Sequence, residues 1–132
     1  MNRRRVLALT FLALAAPGLA LASGGEKKKA GGESYLPIRT LLGMTLHSNG
    51  SRGVLSVDCG LDVPDLALRH RADQLLPRLR DAYIQSVQAY AAGLPVGALP
   101  NADYIAATLQ RQTNTILGKP GARLLLGAII VN

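Results

Sequence analysis

The chain has 132 residues, with 15 Lys and Arg against 8 Asp and Glu, a single Cys and no Trp. This length fits one small domain and excludes a multidomain enzyme, and the single Cys excludes an internal disulfide framework. Six of the basic residues lie in the first 29 positions, so residues 34–132 carry nine basic and six acidic side chains, a net of +3. With so little excess charge and no interleaved exposed aromatics, we expect no nucleic-acid partner.

Residues 1–22 have the pattern of a bacterial secretory signal peptide. A basic start precedes an apolar run, a helix-breaking Pro17-Gly18 pair and the small residues that a signal peptidase requires. We therefore predict export to the periplasm, with cleavage between residues 22 and 23. The residues that define the segment are Arg3, Arg4 and Arg5 in the basic start and Ala20, Ala22 and Ser23 at the cleavage site.

Two alternatives stay open for this segment. An uncleaved inner-membrane anchor would need ~20 apolar residues, whereas the clean apolar run from Val6 to Ala16 has about half that length. The order Asn2-Arg3-Arg4-Arg5-Val6-Leu7 resembles the twin-arginine export pattern. The short basic start and the Leu-rich run also suit the general secretory route, and both routes lead to the periplasm.

Residues 23–34 form a Gly- and Lys-rich segment with no apolar side chain larger than Ala. Such a segment cannot bury enough surface to offset its ordering entropy, which predicts a flexible linker before a single domain at residues 35–132. The Lys27–Lys29 run allows contact with anionic lipid headgroups and hence proximity to the inner membrane. A run this short is more typical of a solvated tether.

Two strands are predicted next, joined by the turn-forming Ser48–Ser51. Residues 35–47 alternate, which places Leu36, Ile38, Leu42, Met44 and Leu46 on one apolar face. Residues 53–63 also alternate, with Cys59 on the apolar face of the strand. We therefore predict a hairpin with one buried face and one wet face. The wet face of the second strand carries Ser56, Asp58 and Asp62.

A long amphipathic helix follows, with Pro64 in its first turn and Asp62 as its cap. Apolar residues recur at spacings of three and four to about Ala92, and Pro77 predicts a kink or a split near Leu75.

A second helix runs from the cap Asn101 to about Leu117, and a final strand covers Ala122–Val131. That strand is apolar on both faces, which predicts a position inside the sheet. The order β-β-α-α-β indicates an α+β domain with a small antiparallel or mixed sheet and helices packed across it.

The residue types that carry catalysis occur without partners in the sequence. Cys59 lies in an apolar pattern that predicts a buried core residue. His47 and His70 are 23 positions apart and lack metal-site spacing, and no nucleophile–base motif is present. We therefore predict a protein that is not an enzyme and holds no metal or other cofactor. The remaining candidate is a mixed-charge helix surface, formed by Arg69, Arg71, Arg78 and Arg80. A surface of this kind is either solvated or in contact with a polar protein partner.

Three segments resemble the periplasmic domain of the flagellar basal-body-associated FliL family. Leu76–Ile84 is similar to the arginine-aspartate segment of the family's long helix, Leu109–Leu117 to its second helix, and Leu125–Asn132 to its closing strand. The resemblance implies a stomatin/prohibitin-like fold, self-association into a ring and support of the flagellar stator. Two features depart from the family, which keeps an uncleaved transmembrane helix and ends with Gln rather than Asn.

Two functional hypotheses follow. The first is an exported, non-enzymatic periplasmic protein that acts through protein–protein contacts or self-association, with the flagellar basal body as one place of action. The alternative is a small periplasmic ligand-binding or envelope-surface protein unrelated to flagella. That protein would use the wet face of the hairpin together with Arg39 and His47.

Overall fold

The computed structural model describes residues 32–132, in which Ser34–Asn132 form one compact unit. The predicted signal peptide and all of the predicted linker up to residue 31 lie outside the described residues. Within the described part, the elements in chain order are β1 (Tyr35–Leu46), β2 (Arg52–Asp62), α1 (Leu66–Gln74), α2 (Leu76–Ala92), α3 (Ala102–Leu117) and β3 (Arg123–Val131).

The three strands of the described residues form one antiparallel sheet in the order β1-β2-β3. The buried residues of the strands and of the helices form one core, so the helices cover one side of the sheet. We call this side the helix face and the opposite side the far face. The predicted α+β class is confirmed, and the order is β-β-α-α-α-β because the long helix is divided in two.

The division falls at Leu75, where Pro77 predicted a kink or a split. The Leu75 N–H donates to the carbonyls of α1, and the Leu75 carbonyl accepts from Leu79 in the first turn of α2. Pro77 lies in that first turn, where a missing N–H costs nothing. The predicted cap Asp62 is wrong, because the carboxylate of Asp65 accepts from the Leu68 N–H at 2.9 Å and caps α1.

The predicted facing of β1 is wrong in its second half. Ile38 pairs with Cys59 and Leu41 with Val57, so β1 advances three residues where β2 advances two. The extra residue forms a β-bulge, and a slip of one residue exchanges the two faces of a strand. Leu41 therefore lies in the core, while Leu42, Met44 and Leu46 point to the far face.

The prediction that the final strand lies inside the sheet is also wrong, because β2 is central and β3 is at the edge. A second bulge explains why both faces of β3 are apolar. Val57 pairs with Ile129 and Cys59 with Leu126, so Gly127 and Ala128 lie together opposite Asp58. The alternation of β3 reverses there, and apolar residues on both sides of the bulge reach the helix face.

The core is built where α2 crosses β1 and packs against α3. Gly43 lets the helix approach, since a Cβ at this position would lie 2.9 Å from both the Ala91 Cβ and the Val87 carbonyl oxygen. Tyr83 is fully buried and its hydroxyl is hydrogen-bonded to Thr113, which joins α2 to α3. The Thr113 hydroxyl in turn donates to the Leu109 carbonyl at 2.8 Å.

Candidate interaction surface on the far face of the sheet

The far face carries a cluster of exposed apolar side chains at the end of the sheet next to the β1–β2 turn. Leu42, Met44 and Leu46 are 53%, 56% and 54% exposed. On neighbouring strands, Val54 pairs with Met44, and Ile130 pairs with Ser56 beside Leu42. We call these five residues the apolar patch, namely Leu42, Met44, Leu46, Val54 and Ile130.

The position of the patch follows from the bulge in β1. Without the extra residue, Leu42, Met44 and Leu46 would lie on the same face as Ile38, and Leu41 would point to the far face in their place. Single exposed apolar residues are ordinary on protein surfaces, whereas exposed apolar residues grouped on one face of three strands are typical of contact surfaces. The far face is therefore the candidate contact surface of the described residues.

The other end of the far face is polar, and its groups are bonded to one another. The Thr40 hydroxyl donates to the Asp58 carboxylate at 2.6 Å, and the Ser34 hydroxyl donates to the Asp62 carboxylate at 2.6 Å. Asp62 also forms an ion pair with Arg123 at 3.6 Å. These carboxylates join neighbouring strands to each other, so they have partners within the fold.

The face that we predicted to be polar and solvent-facing is thus polar over only part of its area. Ser56, Asp58 and Asp62 do lie on the far face, as the alternation of β2 requires, but the apolar patch shares that face with them. The structure does not bring His47 or Arg39 to the two carboxylates. His47 lies at the β1–β2 turn beside Gly53, and Arg39 lies in the bulge of β1.

Three of the four arginines that we predict as a possible interaction face make hydrogen bonds within the fold. Arg69 donates to the carbonyls of Val63 and Pro64, both at 3.0 Å, and holds the β2–α1 connection. The other two bonded arginines contact different elements: Arg71 donates to the Leu117 carbonyl at 3.0 Å, and Arg80 to the Thr40 carbonyl at 3.4 Å. Arg78 is exposed, and three of the four therefore support the fold at separate places.

An open cleft of ≈ 490 Å³ lies between the start of α2 and the edge of β1. Arg39 and Arg80 line it from opposite elements, beside Asp81 and apolar walls that include Ile38 and Ile84. Within the described residues, the Nε of Arg80 is buried and has no hydrogen-bond partner. A guanidinium with a free buried donor suits an acceptor group of a ligand.

Cys59 lies in the core, as its place in the alternation predicted. The side chain is 5% exposed, and burial raises the pKa of the thiol to about 11, with a further rise from Asp58 and a decrease from Arg80. A thiol with this pKa stays protonated at neutral pH. Because the thiolate is the reactive form, Cys59 is a small packing residue in this fold.

Among residues 32–132, no group of three or more His, Cys, Asp and Glu side chains is arranged to hold a metal ion. No helix in the same part of the chain combines the length and apolar character that a membrane crossing needs. Comparison with known proteins gives no further assignment. No protein-family model matches the chain, and no curated protein matches it.

Reasoning from the sequence missed the apolar patch, although one signal was present. Leu41 and Leu42 are adjacent, and two neighbouring apolar residues in an otherwise alternating strand cannot both face the core. Ile38 is on the predicted apolar face, so choosing Leu41 rather than Leu42 as the next core residue requires one extra residue after Ile38, which is a β-bulge. That choice would have placed Leu42, Met44 and Leu46 outside the core.

Proposed function

We propose that this chain is an exported periplasmic protein that acts through protein–protein contacts and not as an enzyme, and that its far face makes the contact. The observation that carries the proposal is the apolar patch, in which Leu42, Met44 and Leu46 are each more than half exposed. Export rests on the signal-peptide pattern of residues 1–22.

The chemistry of the far face supports a protein partner over a small ligand. The patch is a side of a sheet, and flat apolar surfaces with a polar rim match the anatomy of protein interfaces. The polar rim is the Thr40–Asp58 and Ser34–Asp62 end of the same face, whose groups already have partners. A partner can therefore cover the patch without leaving these carboxylates unpaired.

We place the flagellar basal body first among the places of action because of the resemblance of residues 35–132 to the FliL family. Deletion of the gene followed by a swimming assay tests this part of the proposal. We expect reduced swimming, restored by the wild-type gene and by the control variant Ala107→Glu, which changes an exposed residue of α3. Met44→Glu should fail to restore swimming, because the partner would bury an unpaired carboxylate.

Normal swimming of the deletion strain would contradict the flagellar part of the proposal. Restoration by Met44→Glu to the level of Ala107→Glu would contradict the assignment of the far face. Protein levels in the periplasm, measured in parallel, show whether each variant is exported and folded.

The cleft beside α2 favours a second candidate, a small-ligand-binding protein. Two guanidinium groups, those of Arg39 and Arg80, would suit an anionic ligand with an apolar part. A thermal-shift screen with anionic metabolites separates the two candidates. Stabilisation that is lost in Arg39→Ala would support ligand binding in the cleft, since Arg39 is exposed and its replacement leaves the core intact.

A further inference from the structure

The two edges of the sheet differ in how they are protected against pairing with another strand. At the β1 edge, Pro37 lacks an N–H, the bulge distorts the strand, and Arg80 donates to the Thr40 carbonyl. Prolines, bulges and charges are the usual protection of edge strands. The strand at the other edge, β3, also has a bulge, but it contains no Pro or Lys, and its one charged residue, Arg123, is at its start.

On the outer edge of β3, the main-chain groups at the start of the strand are hydrogen-bonded to Gln110. From Leu126 onward, the outward main-chain groups are available to another strand. The Leu124 N–H donates to the side-chain oxygen of Gln110, and the Gln110 amide donates to the Ala122 carbonyl, both at 2.8 Å. Leu124 therefore points its main-chain groups away from β2, and by alternation so does Leu126.

The second half of β3 also points the main-chain groups of alternate residues away from β2. The Asn132 N–H donates to the Val54 carbonyl, so Asn132 points its main-chain groups toward β2. By alternation, Val131 and Ile129 point theirs outward. The open edge thus presents the main-chain groups of Leu126 on one side of the bulge and those of Ile129 on the other.

The bulge also makes the strand symmetrical in its side chains. Leu126 and Ile129 both lie on the helix face, because they pair with Cys59 and Val57. Leu125 and Ile130 both lie on the far face. A second β3 strand, antiparallel and related by a twofold axis at Gly127–Ala128, would oppose Leu126 to Ile129 and Leu125 to Ile130. Every opposed pair is then apolar and on the same face.

We infer that β3 binds a second copy of this chain, forming a twofold dimer with a continuous six-stranded sheet. The inference rests on the proposed function, because it names one partner of a protein that acts through contacts. The Arg123 residues of the two copies lie at opposite ends of the paired segment, so like charges do not meet. The protected β1 edge argues against pairing between β3 of one copy and β1 of another. A twofold contact uses the same surface of both copies, so the assembly ends at the dimer.

Sedimentation velocity of the protein purified after expression of the whole chain tests the inference. We expect a dimer whose dissociation constant rises roughly tenfold or more in Ile129→Pro, since one main-chain donor per copy is lost. The Ile129 N–H points away from β2, so the proline leaves the β2–β3 ladder intact. Ile129→Ala is the matched control, because it loses the side chain and keeps the N–H, and it should retain the dimer better than the proline variant.

Photo-crosslinking gives an answer that does not depend on the folding of the proline variant. A photoreactive residue at the exposed Ala128, next to the proposed axis, should link two copies, and one at Arg39 on the β1 edge should not. A monomer at every concentration, a dimer unchanged in Ile129→Pro, or an Arg39 crosslink between copies would overturn the inference. If only the β3 dimer is wrong, a photoreactive residue on the apolar patch still captures a partner, while the one at Ala128 captures none. If the proposed function is wrong as well, neither position gives a crosslink.

Discussion

Replacement of Tyr83 by Ala is expected to lower the free energy of unfolding by about 3–5 kcal/mol, the cost of removing a large buried aromatic side chain. Tyr83 is fully buried, and it is the largest such side chain in the described core. It also joins α2 to α3 through Thr113. Both the packing of the helices on the sheet and their contact with each other depend on it.

Tyr83→Phe separates the hydrogen bond from the packing. The Thr113 proton is used in the bond to the Leu109 carbonyl, so the Tyr83 hydroxyl must be the donor to Thr113. Its loss should cost about 1 kcal/mol. Urea unfolding of both variants and of Tyr104→Ala, which removes a 54% exposed tyrosine, checks the assignment. A cost for Tyr83→Ala no greater than that for Tyr104→Ala would contradict this packing.

The same residue predicts how stability changes in alkali. Burial raises the pKa of Tyr83 from its ordinary value of 10.0 to about 12. Between these values the unfolded chain releases the proton and the folded chain retains it. The contribution of the protonated Tyr83 to the free energy of unfolding is therefore complete below pH 10 and is lost as the pH rises to about 12. Tyr83→Phe should show a smaller loss over this range.

The Gly43→Val substitution is expected to cost about 2–3 kcal/mol, because it overpacks the contact between β1 and α2. Even the first added carbon would lie 2.9 Å from Ala91 and from the Val87 carbonyl oxygen, which belongs to the helix backbone and cannot turn away. Thermal or urea unfolding measures the loss. The effect should exceed that of Gly43→Ala, which adds the Cβ alone.

Gly93→Ala is the matched control for Gly43→Ala. The added Cβ of Gly93 would meet its nearest atom at 3.7 Å, an ordinary contact distance. We expect this variant to leave the midpoint of unfolding nearly unchanged. Equal midpoints for Gly43→Ala and Gly93→Ala would show that α2 does not cross β1 at Gly43.

The elements of the fold could be predicted from local patterns because their signals are local. Pro77 indicated the division at Leu75, and Asn101 and Gly118 mark the two ends of α3. The burial of Cys59 followed from an unbroken alternation in β2, the central strand, which has no bulge of its own. In these cases the nearest neighbours in sequence determine the structure.

The candidate surface could not be predicted in the same way, because its position depends on pairing between strands. Two bulges, one in β1 and one in β3, exchange the faces of everything that follows them. The adjacent Leu41 and Leu42 were the one sequence signal of the bulge in β1. The edge position of β3 depends on which strands pair, and an apolar sequence alone does not distinguish an interior strand from an edge strand with a partner.

The measurement that tests the contact surface most directly is site-specific photo-crosslinking in living cells. A photoreactive residue replaces Met44 in the centre of the apolar patch, and in a matched strain it replaces Ala107 on the exposed side of α3. We predict a discrete crosslinked species in the periplasmic or envelope fraction for Met44 and none for Ala107. Absence of any crosslink at Met44, or identical products at both positions, would contradict the assignment of the far face as the contact surface.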